Sequence, residues 1–278
     1  MKNIVNVDWL LENLDNPSVR IIDCRFVLGS PEKGIDSYVK EHISGALYFD
    51  LEKDMSSRVT EHGGRHPMPE LDRIIDKLGT AGIDANTKVV AYDDQDGMMA
   101  SRFWWLLKYL GHEEVYVLDG GFSKWLSNGY PVNDDIPSFP RKEFQANIQH
   151  DLLSNVEEVK QNIETISAYL LDSRNQDRFA GENETIDKKA GHIPGALNYF
   201  WKEVINEQSE WKSLKELKER FNQFNSDDQI IVYCGSGVSA CPNILALDEL
   251  GFTNVKLYVG SWSDWISYED NPIAIGLK

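Results

Sequence analysis

The residues with most chemical potential are a cysteine at the end of a strand-like run and the small residues that follow it. Ile230-Ile231-Val232-Tyr233 is β-branched and aromatic, as a buried parallel strand requires, and it ends on Cys234. Gly235-Ser236-Gly237-Val238-Ser239 then forms a tight loop. Ala240 to Leu250 has helical periodicity, and Gly251 suits a left-handed C-terminal cap. Strand, glycine-rich loop and helix start aim backbone N–H groups at an anion. Here the anion is the thiolate of Cys234 or the sulfur it carries, and such a cradle favours the nucleophilic form.

Spacing separates two chemistries. A cysteine-dependent phosphatase closes its loop with an arginine six residues after the nucleophile, so that a guanidinium grips phosphate with two bonds. Ala240 stands at that place and the loop contains no arginine. A sulfur carrier needs only a compact ring of donors around sulfur, which this loop matches.

The elements that must position the loop occur twice. Ile22-Asp23-Cys24-Arg25, His42-Ile43-Ser44-Gly45-Ala46, Val89-Val90-Ala91-Tyr92-Asp93 and Leu118-Asp119-Gly120-Gly121 recur in order. Their counterparts are Leu171-Asp172-Ser173-Arg174, His192-Ile193-Pro194-Gly195-Ala196, Ile231-Val232-Tyr233-Cys234 and Tyr258-Val259-Gly260-Ser261. Asp172 follows Asp23 by 149 residues, His192 follows His42 by 150, Cys234 follows Asp93 by 141 and Gly260 follows Gly120 by 140. The expected fold is therefore α/β: two tandem domains, each a mainly parallel sheet flanked by helices. The expected boundaries are 1–130 for the first domain, 131–152 for a linker and 153–278 for the second. The polar, proline-containing stretch from Gly129 to Gln149 reads as a linker or a wrapping arm.

The two halves differ where chemistry would occur. Asp93 takes the place of Cys234, and a carboxylate cannot take up sulfane sulfur, so the first domain is expected to be silent. Asp93 reads as a cap or turn residue at a strand end. The segment Asp94 to Arg102 is expected to depart from a compact thiolate cradle.

The chain has 278 residues, enough for two cores, and a net charge of −17, which makes nucleic acid and anionic membranes poor partners. Met1 to Leu14 lacks a signal-peptide pattern and no apolar run approaches ~18 residues, so a cytoplasmic protein is expected. Cys24, Cys234 and Cys241 are odd in number and form no Cys-x-x-Cys pair, which argues against a disulfide framework or a zinc site. Cys24 reads as a buried small hydrophobe, and Cys241 as structural or as a resolving thiol.

Taken together, the Asp-x-Arg and His-Ile-x-Gly-Ala motifs of both halves, Arg102-Phe103-Trp104-Trp105-Leu106-Leu107, Leu118-Asp119-Gly120-Gly121-Phe122, the cysteine loop and Gly260-Ser261-Trp262-Ser263-Asp264-Trp265 resemble the two-domain rhodanese-like sulfurtransferases over essentially the whole chain. The resemblance implies sulfur transfer through a persulfide on the C-terminal domain, beside an inactive N-terminal copy that supplies one wall of the site. It implies neither metal nor organic cofactor. The Cys-Gly-Ser-Gly-Val loop looks like the 3-mercaptopyruvate type, with Ser239 where threonine is usual; thiosulfate-preferring members carry cationic residues at the positions of Gly235 and Ser236. The partners implied are a small anionic sulfur donor and a thiol acceptor such as thioredoxin or a low-molecular-weight thiol, or cyanide. Thiosulfate:cyanide transfer by the same cysteine is the alternative. A sulfur-sensing or interaction module without catalysis is the alternative from another class.

The remaining site expectations follow from the resemblance and from side-chain chemistry. Arg178 is expected to bind the donor's carboxylate, although a surface pair with Asp177 or Glu182 is the plainer reading. Asp187 stands where the family has a second carboxylate-binding arginine, leaving Lys188 or Lys189 as substitutes. His66 matches a family histidine near the loop serine and is suited to move a proton. Glu52 stands near an acidic residue that orients it. Arg65 and Arg58 would add positive potential. Ser236 is expected to bond thiol or substrate, Gly235, Gly237 and Val238 to shape the donor ring, and Ser239 to cap the helix and donate to Cys234. His42 and His192, present in both halves, read as structural.

Overall fold

A computed structural model describes residues 1–277. The chain divides into two compact units. The first comprises Met1–Ser57, Pro69–Gln149 and Ile205–Trp211; the second comprises Arg58–Met68, His150–Val204 and Lys212 onward. Two short segments thus belong to the unit of the other sequence half.

Five parallel strands form the sheet of the first unit: Ile4–Val5 (β1), Val19–Asp23 (β2), Ala46–Tyr48 (β3), Lys88–Tyr92 (β4) and Val115–Leu118 (β5), in the order β1-β5-β4-β2-β3. The second unit repeats it with Leu153–Ser154 (β6), Tyr169–Asp172 (β7), Leu197–Asn198 (β8), Ile230–Tyr233 (β9) and Val255–Tyr258 (β10), in the order β6-β10-β9-β7-β8. Every strand of the second sheet holds the station of its counterpart five strands earlier. Parallel neighbours need crossover connections, which helices supply, and the central strands are largely buried. The Ile-Ile-Val-Tyr of β9 is buried at all four positions.

Each unit has its own core. Val7, Leu10, Ile21, Val90, Tyr92 and Trp125 pack in the first; Val159, Leu170, Ile231, Tyr233, Trp262 and Trp265 pack in the second. A side chain of this kind contributes about 1.5–3 kcal/mol when fully buried. The Asp-x-Arg motif fixes the end of each second strand, where Arg25 grips Asp23 and Arg174 grips Asp172, all four side chains being buried. The arm after Gly129 packs on the first unit: Val132–Asn133 pairs antiparallel with His42–Ile43, and Lys142 N–H donates to the Gly79 carbonyl. His42 and His192 are buried, with Nδ1 against the carbonyls of Tyr38 and Phe179 at 2.7 and 2.8 Å. These are the contacts of structural side chains. Among the described residues no helix is long and apolar enough to cross a membrane.

The loop after β4 differs from the sequence expectation. It closes tightly on its own strand-end side chain: the Asp93 carboxylate accepts from the N–H groups of Gln95, Gly97, Met99 and Ala100 at 2.7–2.9 Å. Asp93 therefore does cap the helix Met98–Tyr109, but from inside a compact donor ring. Left-handed Asp96 and Gly97 supply the turn that brings these groups together.

Candidate active site

Cys234 lies at the C-terminal end of the central strand β9, where open parallel sheets place their sites. The following helix spans Cys241–Glu249. Its end is the Schellman arrangement: Gly251 is left-handed, its N–H donates to Asp248, and the Phe252 N–H donates to Leu247. The start departs from expectation. Ala240 is the N-cap and no side chain caps it, so Ser239 does not cap this helix; nor, among the described residues, does its hydroxyl donate to Cys234. Pro242, in the first turn, has no N–H to satisfy.

The loop holds the sulfur from below. Gly237 N–H donates to Cys234 Sγ at 3.2 Å. Gly237 has φ +75°, and a Cβ there would lie 2.2 Å from the Val259 carbonyl oxygen, so only glycine brings this donor into place. Cys241 Sγ donates to the Gly237 carbonyl at 3.4 Å, which makes Cys241 a buried support of the same peptide. Val238 is part of the core beneath. On the far side, Cys234 N–H donates to Ser261 Oγ at 3.1 Å, and the Cys234 carbonyl accepts from Trp262 N–H. Ser261 was not among the residues expected at the site, and its counterpart in the repeat, Gly121, carries no side chain to announce it.

The segment 58–68 packs on the loop through residues distant in sequence. Gly63 N–H donates to Asp264 at 2.7 Å, Arg65 N–H donates to Ser263 Oγ at 3.1 Å, and His62 stacks on Tyr268. Gly64 permits this approach, since a Cβ there would sit 2.3 Å from the Gly260 carbonyl oxygen. His66 is thereby placed with Nδ1 2.8 Å from Ser236 Oγ, and both residues are buried. Glu52 lies in the first unit and is exposed; Arg58 is exposed.

Two guanidinium groups stand over Gly235. A Cβ at that position would meet Arg65 Nη2 at 2.8 Å and Arg178 Nη2 at 3.5 Å. Arg178 does not form the surface pairs the sequence offered it. Its Nε bonds both oxygens of Glu184 at 3.0–3.1 Å, and Nη2 bonds Asp187 at 2.9 Å. Arg65 bonds the other oxygen of Asp187. Burial lowers the Arg65 pKa from its ordinary value, opposed by the attraction of the Cys234 sulfur. The second cation near the loop is therefore Arg65. Lys188 is exposed, and among the described residues no hydrogen bond or ion pair ties its ammonium to this cluster. Lys189 contributes its carbonyl, which accepts from Trp262 Nε1.

Cys24 is buried in the first unit, where burial, reinforced by the nearby Asp23 and Asp93 charges, pushes its thiol well above the ordinary range. It is an inert core residue. Among the described residues no group of three histidine, cysteine or acidic side chains is placed to hold a metal ion.

Comparisons with known proteins agree with this geometry. The rhodanese-like domain profile matches residues 6–128 and 155–268. A probable 3-mercaptopyruvate sulfurtransferase of Pseudomonas aeruginosa is 37% identical over 278 residues, with 98% of each chain covered. The thiosulfate sulfurtransferase of Rattus norvegicus is 33% identical over 274 residues, covering 94% of this chain and 91% of the relative. Among solved structures, SseA from Escherichia coli, described as a 3-mercaptopyruvate sulfotransferase, superposes with a TM-score of 0.84 at 33% identity, covering 95% of this chain and all of that one.

Proposed function

This chain belongs to the rhodanese family, and from that premise we propose that it is a sulfurtransferase moving sulfane sulfur from 3-mercaptopyruvate to a thiol or cyanide through Cys234. The observation that carries the reading is Cys234 Sγ held by the Gly237 N–H in a loop overhung by Arg65 and Arg178. A donor with an anionic end meets two guanidiniums there, and its sulfur meets the nucleophile.

The chemistry balances without a redox partner. Cys234 thiolate attacks the donor sulfur, the carbon–sulfur bond breaks, and its electron pair leaves as the enolate of pyruvate. A proton delivered to that carbon gives pyruvate, for which the Ser236–His66 pair is the donor the geometry favours. Cys234 is left as a persulfide. An acceptor thiolate or cyanide then attacks the outer sulfur and regenerates the Cys234 thiolate. Thioredoxin or a small thiol would serve as acceptor. Three free cysteines fit a reducing compartment, and we place the chain in the cytoplasm on that ground.

Thiosulfate is the second donor to test, because a relative 33% identical over 94% of this chain is a thiosulfate sulfurtransferase. The test compares kcat/KM for 3-mercaptopyruvate with a thiol acceptor against thiosulfate with cyanide, with Cys234→Ser as control. A preference for mercaptopyruvate is expected. A preference for thiosulfate would replace the donor, and no activity above the control with either would leave a binding module.

A further inference from the structure

The site's two arginines are already joined by an anion of the chain itself. Asp187 places one carboxylate oxygen on Arg178 Nη2 and the other on Arg65, with only 3% of its side chain exposed. It ends an alternating run of charge that begins in the core: Asp172, Arg174, Glu184, Arg178, Asp187, Arg65. Three carboxylates and three guanidiniums balance. A donor carboxylate arriving at the arginines would make a fourth anion in a poorly solvated cluster, which is costly unless one anion leaves.

Of the three carboxylates, Asp187 is the one free to go. Asp172 is locked at the end of β7 by the three nitrogen contacts of Arg174. Glu184 is bound by Arg174 and Arg178 and accepts the N–H groups of Ile186 and Asp187. Asp187 is held by the two arginine contacts, on a stretch from Glu182 to Ala190 that forms neither helix nor strand. We propose that Asp187 is a resident competitor in the anion seat, a specificity-determining residue that a carboxylate-bearing donor must displace from Arg65 and Arg178. The inference rests on the sulfur-transfer reading only for the identity of the arriving anion. The seat then favours ligands able to outbid an internal carboxylate.

The test separates the seat from the chemistry. Pyruvate, the carboxylate left after sulfur transfer, is titrated calorimetrically into the Cys234→Ser protein and into Cys234→Ser/Asp187→Asn. Removing the competing charge should tighten pyruvate binding by about tenfold or more, the scale of one charge-assisted bond. In the otherwise native chain, Asp187→Asn should lower KM for 3-mercaptopyruvate with a smaller change in kcat. If Asp187 merely props the arginines, both changes reverse: pyruvate binds more weakly and KM rises. Weaker or equal affinity, or no pyruvate binding by either protein, overturns the proposal. Should Asp187→Asn fail to fold, a crystal structure of the Cys234→Ser protein soaked with pyruvate decides: Asp187 turned away from both arginines supports displacement, and Asp187 still on both beside bound pyruvate refutes it. A native chain that turns over no mercaptopyruvate would defeat the donor assignment and leave the pyruvate titration to judge the seat.

Discussion

His66 Nδ1 stands 2.8 Å from Ser236 Oγ, 170 residues away in sequence, and the two residues are only 4% and 6% exposed. So buried a pair, with Ser236 on the nucleophile's own loop, can pass a proton without competition from bulk water. The two donors make different demands on it. Mercaptopyruvate departs as an enolate that needs a proton on carbon, whereas thiosulfate departs as sulfite, a stable anion that needs none. His66→Ala and Ser236→Ala should therefore lower kcat with mercaptopyruvate by about 10²-fold or more, and with thiosulfate by much less. Equal losses with both donors would make the pair a structural prop of the loop.

Gly237→Ala should abolish the sulfur cradle. The left-handed backbone costs a residue with a Cβ about 1–2 kcal/mol. Overlap with the Val259 carbonyl, 2.2 Å from that Cβ, adds about 1–3 kcal/mol. Relief requires the peptide to move, which takes its N–H from Cys234 Sγ. Urea midpoints should fall accordingly, and persulfide formation on Cys234, read by mass spectrometry after one exposure to donor, should be lost. Full persulfidation in a destabilised Gly237→Ala protein would show that this donor is not needed.

Asp93 gives the first unit a pH signature. Burial pushes its carboxyl from the ordinary 3.8 up to about 6, against the N–H groups that favour the anion. Between those values the folded chain holds a proton that the unfolded chain has released. Stability contributed by Asp93 is thus present at the acid end and falls as pH rises through this window, by roughly 3 kcal/mol at about 1.36 kcal/mol per unit. Above about pH 6 it is constant. Asp93→Asn removes the titration, so the native chain should lose stability relative to the variant between about pH 4 and 6 in urea unfolding. The opposite slope would mean that the four N–H donors outweigh burial.

What the sequence disclosed, and what it hid, follows from the range of the interactions. The strand before Cys234 and the repeat of Asp-x-Arg at both second strands were legible because a parallel core requires apolar runs and the motif is local: Arg25 and Arg174 reach back only two residues. The ring around Asp93 was hidden, since an acidic residue at a strand end announces a cap but not the left-handed pair Asp96 and Gly97 that folds four donors onto it. Arg65 and Asp187 meet across 122 residues. Nothing periodic marks such a pair, so the contacts of Asp187 with Arg65 and Arg178 were not legible in the sequence.

Ser261 sits in the left-handed region, φ +54°, where its counterpart Gly121 has the same φ without the cost of a Cβ. The side chain repays that cost in bonds: Oγ accepts from Cys234 N–H at 3.1 Å and donates to the Tyr258 carbonyl at 2.8 Å. The N–H of a buried nucleophile would otherwise lack this acceptor, a loss of about 1–3 kcal/mol. Two substitutions separate the terms. Ser261→Ala keeps the backbone strain and loses both bonds; Ser261→Gly loses the bonds and relieves the strain. Stability should fall in the order serine, glycine, alanine, with alanine about 1–2 kcal/mol below glycine. Both should also reduce kcat, because Cys234 then pivots on one anchored peptide face, the Trp262 N–H on its carbonyl. Urea unfolding and single-turnover persulfidation measured on the same three proteins decide it. A glycine variant as stable and as fast as the native chain would show that the hydroxyl contributes nothing to holding Cys234.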